Sequence, residues 1–234
     1  MVIYDKLNIP CNCKIDRTIF KKMFYENADF SKGDKDLFTN SIDKILWIYC
    51  LNQDNMNIPA YKTDEREYLE IEVIEVTLSE SKGVRRIAEI IMRAIPYPML
   101  LIFRYEEKYQ LWTAHQRFNL ADNSKNTLEE FVNTDWLDDN SDIWDKLNVN
   151  NFRFTNFFDM YSDIVNAIAM FNAQKLTDKE LSGDEARELL RKNAEIDSRI
   201  AALRAELKKA TEFSRKMEIN MKIKELEKVG INNA

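Results

Sequence analysis

From Glu185 to Lys228 the chain contains neither glycine nor proline, and its apolar residues follow a seven-residue rhythm. Leu189, Ile196, Leu203 and Ala210 recur every seventh residue, while Asn193, Ile200 and Leu207 fall four positions after each. This is the a/d stripe of a coiled coil. A seam so narrow cannot be buried by its own helix, so it requires a second helix from the same chain or from another. Asn193 at a core position would sacrifice stability to fix register. Near Ala210 to Ser214 the phase slips, because Ile219, Ile223 and Leu226 do not extend Leu203 and Leu207 in strict register. Either the helix has a discontinuity there or the chain turns back as a hairpin. With no Gly, Pro or Asn between Ala194 and Glu218, one long helix is the favoured expectation.

The preceding sequence must form something larger. Apolar residues make up 45% of the 234 residues, with 13 Phe, 9 Tyr and 4 Trp. A chain of this length buries roughly 70% of its unfolded surface, enough for a substantial core without staples. Only 4 Gly and 4 Pro are present, too few turn formers for an all-β sandwich or barrel. The charged content of 32% is well mixed, which separates the chain from disordered sequences. A net charge of −6 disfavours a dedicated nucleic-acid binder. No signal peptide is recognised in the first ten residues, and apolar runs such as Met99–Phe103 are too short to span a bilayer. The three cysteines read as free thiols in a reducing cytoplasm, with Cys50 in an apolar helical run.

Along the chain, Asp16 or Thr18 is placed to cap a helix carrying Ile19, Phe20, Met23 and Phe24. A second helix is expected over 34–51, with Leu37, Phe38, Ile42, Ile45, Leu46 and Tyr49 on one side. The pair has the outline of a helix-turn-helix, but residues 14–51 hold seven basic and six acidic side chains, which gives no electrostatic footprint for DNA. Asn52–Pro59 reads as a loop, and 68–78 as a strand in which Leu69, Ile71 and Val73 alternate with Glu70, Glu72 and Ile74. A short helix over 84–95 ends at Pro96-Tyr97-Pro98. Residues 99–105 and 109–118 form a hairpin whose first strand is almost wholly apolar, as a central strand covered on both faces should be. Residues 127–136 fit a strand or a partly helical segment. An acidic connector, 135–151, leads to a helix over 154–176 with a broad apolar face. A hinge over 177–184 follows, where Ser182 or Asp184 can cap the last helix. The expected architecture is α+β: a mixed sheet with packed helices over residues 1–177, then a long helix or coiled-coil arm over 184–229.

Catalytic signatures are scarce. The single histidine, His115, sits in a strand pattern, where a packed or half-exposed role is the ordinary one. Cys11-x-Cys13 and one distant histidine cannot supply a closed zinc site. The glycines exclude Walker A and dinucleotide fingerprints. No metal or other cofactor is therefore expected. The candidates for catalysis are Glu70, Glu72 and Glu75, which in a metal-dependent nuclease would hold Mg²⁺ against a scissile phosphate. The lysine of the usual Glu-x-Lys pattern is missing, since Glu75 is followed by Val76-Thr77. The plainer reading leaves Glu70 and Glu72 in solvent and pairs Glu75 with Arg85 or Arg104. Asp135, Asp138, Asp139, Asp142 and Asp145 lack the glycine and terminal glutamate of a Ca²⁺ loop and read as solvated.

The order of these signals resembles the bacterial domain-of-unknown-function family 4391 over nearly the full chain. The resemblance is carried by Ile15 and Phe20, then Lys35, Phe38, Ile42, Ile45 and Trp47, then Ile58-Pro59 and the strand Glu70 to Val76. Ala94-Ile95-Pro96-Tyr97-Pro98 and Arg117-Phe118-Asn119 follow. In the tail the matching residues are Glu212 to Lys216, Glu218-Ile219-Asn220 and Lys224-Glu225-Leu226. Their collinear order carries the match, since each piece alone is weakly specific. The resemblance implies an association with helicase and DNA-methyltransferase genes in bacterial defence loci. It transfers no catalytic residue.

The function expected from these readings is that of a non-catalytic accessory subunit. It would bind a helicase, a methyltransferase or a second copy of itself through Leu189, Asn193, Ile196, Ile200, Leu203 and Leu207. A metal-dependent nuclease is the competing expectation. A third is an accessory protein touching nucleic acid through Arg215, Lys216 and Lys222, because residues 204–224 hold seven basic and three acidic side chains.

Overall fold

In the computed structural model, which describes residues 3–27, 30–119 and 126–232, helix α1 (Ile3–Leu7) is followed by strand β1 (Lys14–Thr18). Asp16 and Thr18 therefore lie in a strand rather than capping a helix. Helix α2 begins only at Lys21 (Lys21–Asn27). Of the expected apolar face, Phe24 is buried while Phe20 and Met23 are exposed. Helix α3 (Lys32–Ser41) opens with a capping box: Ser31 Oγ accepts from the Asp34 N–H, and the Asp34 carboxylate accepts from the Ser31 N–H.

The helix expected over 34–51 ends at Ser41, and Ile42–Asn52 is strand β2. Apolar spacing suited either structure, but Ile42, Ile45, Trp47, Ile48 and Tyr49 are β-branched or aromatic, which favours a pleated, half-buried surface. Cys50 accordingly lies in a strand. The expected loop after it contains a one-turn helix, α4 (Gln53–Met56), capped by Asn52. A two-residue pair, β3 (Tyr61–Lys62) and β4 (Glu67–Tyr68), precedes β5 (Glu70–Leu78). Helix α5 (Val84–Ala94) crosses over to β6 (Met99–Tyr105), then come β7 (Lys108–Phe118) and β8 (Asn126–Asn133). Residues 126–133 thus resolve as strand.

The main sheet runs β1-β2-β5-β6-β7-β8. All pairs are antiparallel except β5 with β6, which the α5 crossover makes parallel. The apolar β6 is interior to the sheet, and Met99 to Phe103 are all buried. On one face Ile74, Val76, Leu101, Phe103 and Trp112 pack with Ile87 and Ile91 of α5 and with Phe24 and Phe38. The opposite face carries Ile71, Val73 and Leu100, gathered with Leu7, Leu147 and Ile164 of helix α7 (Phe157–Ala173). Helix α6 (Ile143–Lys146) lies within the acidic connector.

Beyond Leu101 and Trp112 the β6–β7 ladder stops, and buried backbone groups there need partners. The Tyr161 hydroxyl supplies them: it accepts from Ala114 N–H at 3.1 Å and lies 2.9 Å from the Met99 carbonyl. Two residues on, the Tyr68 hydroxyl accepts from Gln116 N–H at 3.1 Å.

The chain divides into two compact units, Met1–Ile168 and Ala169–Ala234. In the second, helices α8 (Gly183–Lys209) and α9 (Phe213–Asn232) replace the single long helix expected from the absence of breakers. Of the two candidate caps, Ser182 is the one used, in a capping box with Glu185. Ala210 ends α8 in an extended conformation, φ −67° and ψ 134°, so the chain reverses without glycine. Closing the apolar seam provides the physical reason. Ile200, Ile219 and Ile223 bury one another, with Ile196, Leu203, Leu207, Ala210 and Leu226 packed around them.

Candidate functional site

In the hairpin, each a/d residue from Ile196 to Leu207 faces α9 rather than an external helix. The two helices run antiparallel, and two cross-links record it: Arg204 to Glu227 at 2.9 Å and Arg215 to Glu206 at 2.5 Å. Leu189 lies half-buried in the N-terminal half of α8. Asn193 donates to Asp197 of its own helix at 3.3 Å. Ile196, Ile200, Leu203 and Leu207 thus come together in one cluster with α9.

Closing the seam leaves another surface on α9. Phe213, Met217 and Met221 are 79%, 50% and 59% exposed. Their spacing of four places them within about 80° of one another on the helix, opposite Ile219 and Ile223, with Lys224 and Lys228 in the same arc. Among the described residues, no carboxylate pairs with Lys216, Lys224 or Lys228. Arg215 and Lys222 are different. Arg215 bonds Glu206 and Glu218, and Lys222 bonds Glu218 at 2.7 Å. Those two cations hold the Glu218 carboxyl below its usual range, Lys222 foremost. Of the three side chains expected to meet nucleic acid, two are therefore engaged by carboxylates. The aromatic-methionine stripe was readable as Phe-x₃-Met-x₃-Met, but the stronger heptad signal masked it.

The three strand glutamates do not gather at one site: Glu70 and Glu72 lie together, and Glu75 stands apart. Glu75 sits on the sheet face covered by α1, where it accepts from the Tyr4 hydroxyl, and Thr77 Oγ1 lies 3.5 Å away. Among the described residues neither Arg85 nor Arg104 forms an ion pair with it, contrary to the plainer expectation. Arg85 instead lies over the Phe131 ring. Burial, followed by the adjacent Glu75 charge, pushes the Tyr4 phenol far above its ordinary range.

Glu70 and Glu72 share the other face, and they do not point freely into solvent. Glu72 is 3% exposed and Glu70 half-buried. The antiparallel register sets Cys50 opposite Glu72 and Asn52 opposite Glu70. The Cys50 thiol donates to Glu70 Oε2 at 3.5 Å. Trp47 Nε1 donates to Glu72 Oε2 at 2.5 Å and also reaches the Tyr49 carbonyl at 3.1 Å. Sγ of Cys50 and a carboxylate oxygen from each glutamate lie within 4.8 Å of one another. Burial pushes the Glu72 carboxyl up to about 8, with Glu70 adding to the rise and the Trp47 N–H opposing it. Burial likewise pushes the Cys50 thiol up to about 12, reinforced by Glu72 and Glu70. The sequence held no sign of this cluster, because Cys50 read as helical.

Several of the remaining sequence candidates have structural partners. His115 Nδ1 lies 2.8 Å from the Tyr68 hydroxyl, and its ring packs against Tyr161 and Phe158. Cys13 is buried against the Met56 sulfur at 3.4 Å, while Cys11 is exposed. Three connector aspartates hold lysines: Asp138 with Lys108, Asp142 with Lys146 and Asp145 with Lys6. No described helix is long and apolar enough to cross a membrane.

A family model described as "Domain of unknown function (DUF4391)" matches residues 7–229. No curated protein and no solved structure matches the chain.

Proposed function

The chain belongs to the DUF4391 family, and we propose that it serves as a non-catalytic interaction subunit whose C-terminal hairpin docks a partner protein. The observation that carries this reading is the exposed stripe Phe213, Met217 and Met221 on the outer arc of α9. Long, adaptable methionine side chains beside an aromatic ring suit an apolar groove on another protein. The uncompensated Lys216, Lys224 and Lys228 select a partner surface with an acidic rim. The seam residues Ile196, Ile200, Leu203 and Leu207 act one step earlier, by holding α9 so that its outer arc is presented. A helicase or methyltransferase subunit with an acidic, apolar-centred surface is the partner class that the family resemblance suggests. A second copy of the chain, or nucleic acid, would be a different outcome.

The test uses the full chain, wild type and Phe213→Glu/Met217→Glu/Met221→Glu, with light scattering alone and with helicase and methyltransferase subunits from the same source. All three positions are exposed, so the fold is expected to survive, which circular dichroism checks. The reading requires a complex with one of those subunits that the triple variant loses. If every such complex persists, or if the wild type forms none and binds only itself or an oligonucleotide, the reading fails.

A further inference from the structure

Among the described residues, no cation pairs with the buried ionisable groups of the β2–β5 cluster. Cys50 is 5% exposed and Glu72 3% exposed. Among the described residues, no lysine, arginine or histidine forms an ion pair with Glu70 or Glu72. A carboxylate taken this far from water needs a compensating cation or a proton. Among the described residues, the Trp47 N–H is the donor that reaches the Glu72 carboxylate, and Glu70 and Cys50, which carry no positive charge, lie beside it. Burial without a countercharge is therefore a second observation, separate from the proximity of the three side chains.

The geometry suits a cation. Two adjacent antiparallel strands present a sulfur and two carboxylate oxygens within 4.8 Å of one another. Zinc–sulfur bonds of about 2.3 Å and zinc–oxygen bonds of about 2.1 Å place tetrahedral ligand atoms roughly 3.5 Å apart, a small side-chain adjustment away. A thiolate in the set favours a borderline transition metal over Mg²⁺ or Ca²⁺, which prefer oxygen alone. Trp47 occupies the place of an outer partner, fixing one oxygen of Glu72 and leaving the carboxylate oriented.

We propose that Cys50, Glu70 and Glu72 form a three-ligand site for a divalent transition metal of the zinc class, with a fourth position open to solvent or a small ligand. The site is independent of the docking stripe, and neither reading depends on the other.

Co²⁺ is the probe, because a cobalt–thiolate bond produces a near-ultraviolet charge-transfer band. Full-length protein titrated with Co²⁺ under reducing conditions is expected to develop that band, to lose it when Zn²⁺ is added, and to keep it in excess Mg²⁺. Cys50→Ser is expected to abolish the band, whereas Cys11→Ser leaves it unchanged. Glu72→Gln keeps the side-chain shape and an acceptor for Trp47, and should weaken Co²⁺ binding by about tenfold or more. Circular dichroism on each variant shows that it is folded. The proposal is overturned if no band appears in the wild type, if the band survives in Cys50→Ser, or if Glu72→Gln binds Co²⁺ as tightly as the wild type.

Discussion

Asp34 closes two interactions at once: it completes the capping box with Ser31, and it receives the Arg86 guanidinium through Nε at 2.8 Å and Nη2 at 2.9 Å. The Arg86 hydrogen bonds hold its carboxyl well below the usual carboxylate range. A carboxylate whose pKa falls on folding stabilises the fold above its unfolded pKa of about 4, and that contribution disappears as pH falls through the folded value. Asp34→Asn is therefore expected to lose about 1–2 kcal/mol at pH 7, discounted because Arg86 is partly exposed. Urea denaturation from pH 7 to pH 2 should show the difference between the two proteins shrinking below about pH 4. Tyr161 works by geometry instead. Tyr161→Phe leaves the Ala114 N–H and the Met99 carbonyl without their partner inside the core, so a loss of about 2 kcal/mol is expected. A change below 0.5 kcal/mol would mean that water takes the place of the hydroxyl. The Cys50–Glu72 contact shows why residue-level reading stopped short. The two lie 22 positions apart in sequence, and only strand register makes them neighbours.

At the scale of elements, the hairpin is the clearest case of a pattern read correctly and assembled differently. The a/d positions from Ile196 to Leu207 do line one face of α8, but the partner is the next stretch of the same chain. The phase slip near Ala210 was the relevant signal, and the lack of a helix breaker outweighed it in the sequence reading. A reversal needs only two or three residues to leave helical dihedrals, which seam burial can drive without glycine. Leu203→Asp should therefore unfold the hairpin itself, rather than merely detach a partner. Ile219→Ala removes a fully packed side chain and should cost about 3 kcal/mol. Hydrogen exchange over α8 and α9 measures both, and unchanged protection in Leu203→Asp would contradict the closed seam. Gly83 marks another element boundary. It starts α5 at φ +70°, and a Cβ there would lie 2.6 Å from Leu37 Cδ1. Gly83→Ala should lower the stability of the first unit by about 1 kcal/mol or more through strain at positive φ.

For the whole molecule, charge is divided unevenly between the two units. Met1–Ile168 holds 28 acidic and 20 basic residues, whereas Ala169–Ala234 holds 12 acidic and 14 basic. The net charge of −6 therefore conceals a second unit of opposite sign. If the hairpin docks an acidic-rimmed surface, raising ionic strength from 0.1 to 0.5 M should slow association while leaving an apolar contribution to the complex. Binding kinetics at several salt concentrations would check this, and an association rate indifferent to salt would remove the lysines from the account.

Composition and local periodicity were enough to determine the α+β class, the β5–α5–β6–β7 succession, the interior place of β6 and the helical character of the tail. Those features depend on side-chain spacing over ten or so residues, and that information is written locally. Tertiary structure decided that Ile42–Asn52 is a strand, that the tail folds back on itself, and that Cys50 stands beside Glu70 and Glu72. Each of these depends on which surface a segment meets, because an apolar face at ambiguous spacing takes the conformation that buries it. The exposed Phe213, Met217 and Met221 follow from the same cause: one face of α9 was used to close the seam, and the other stays exposed.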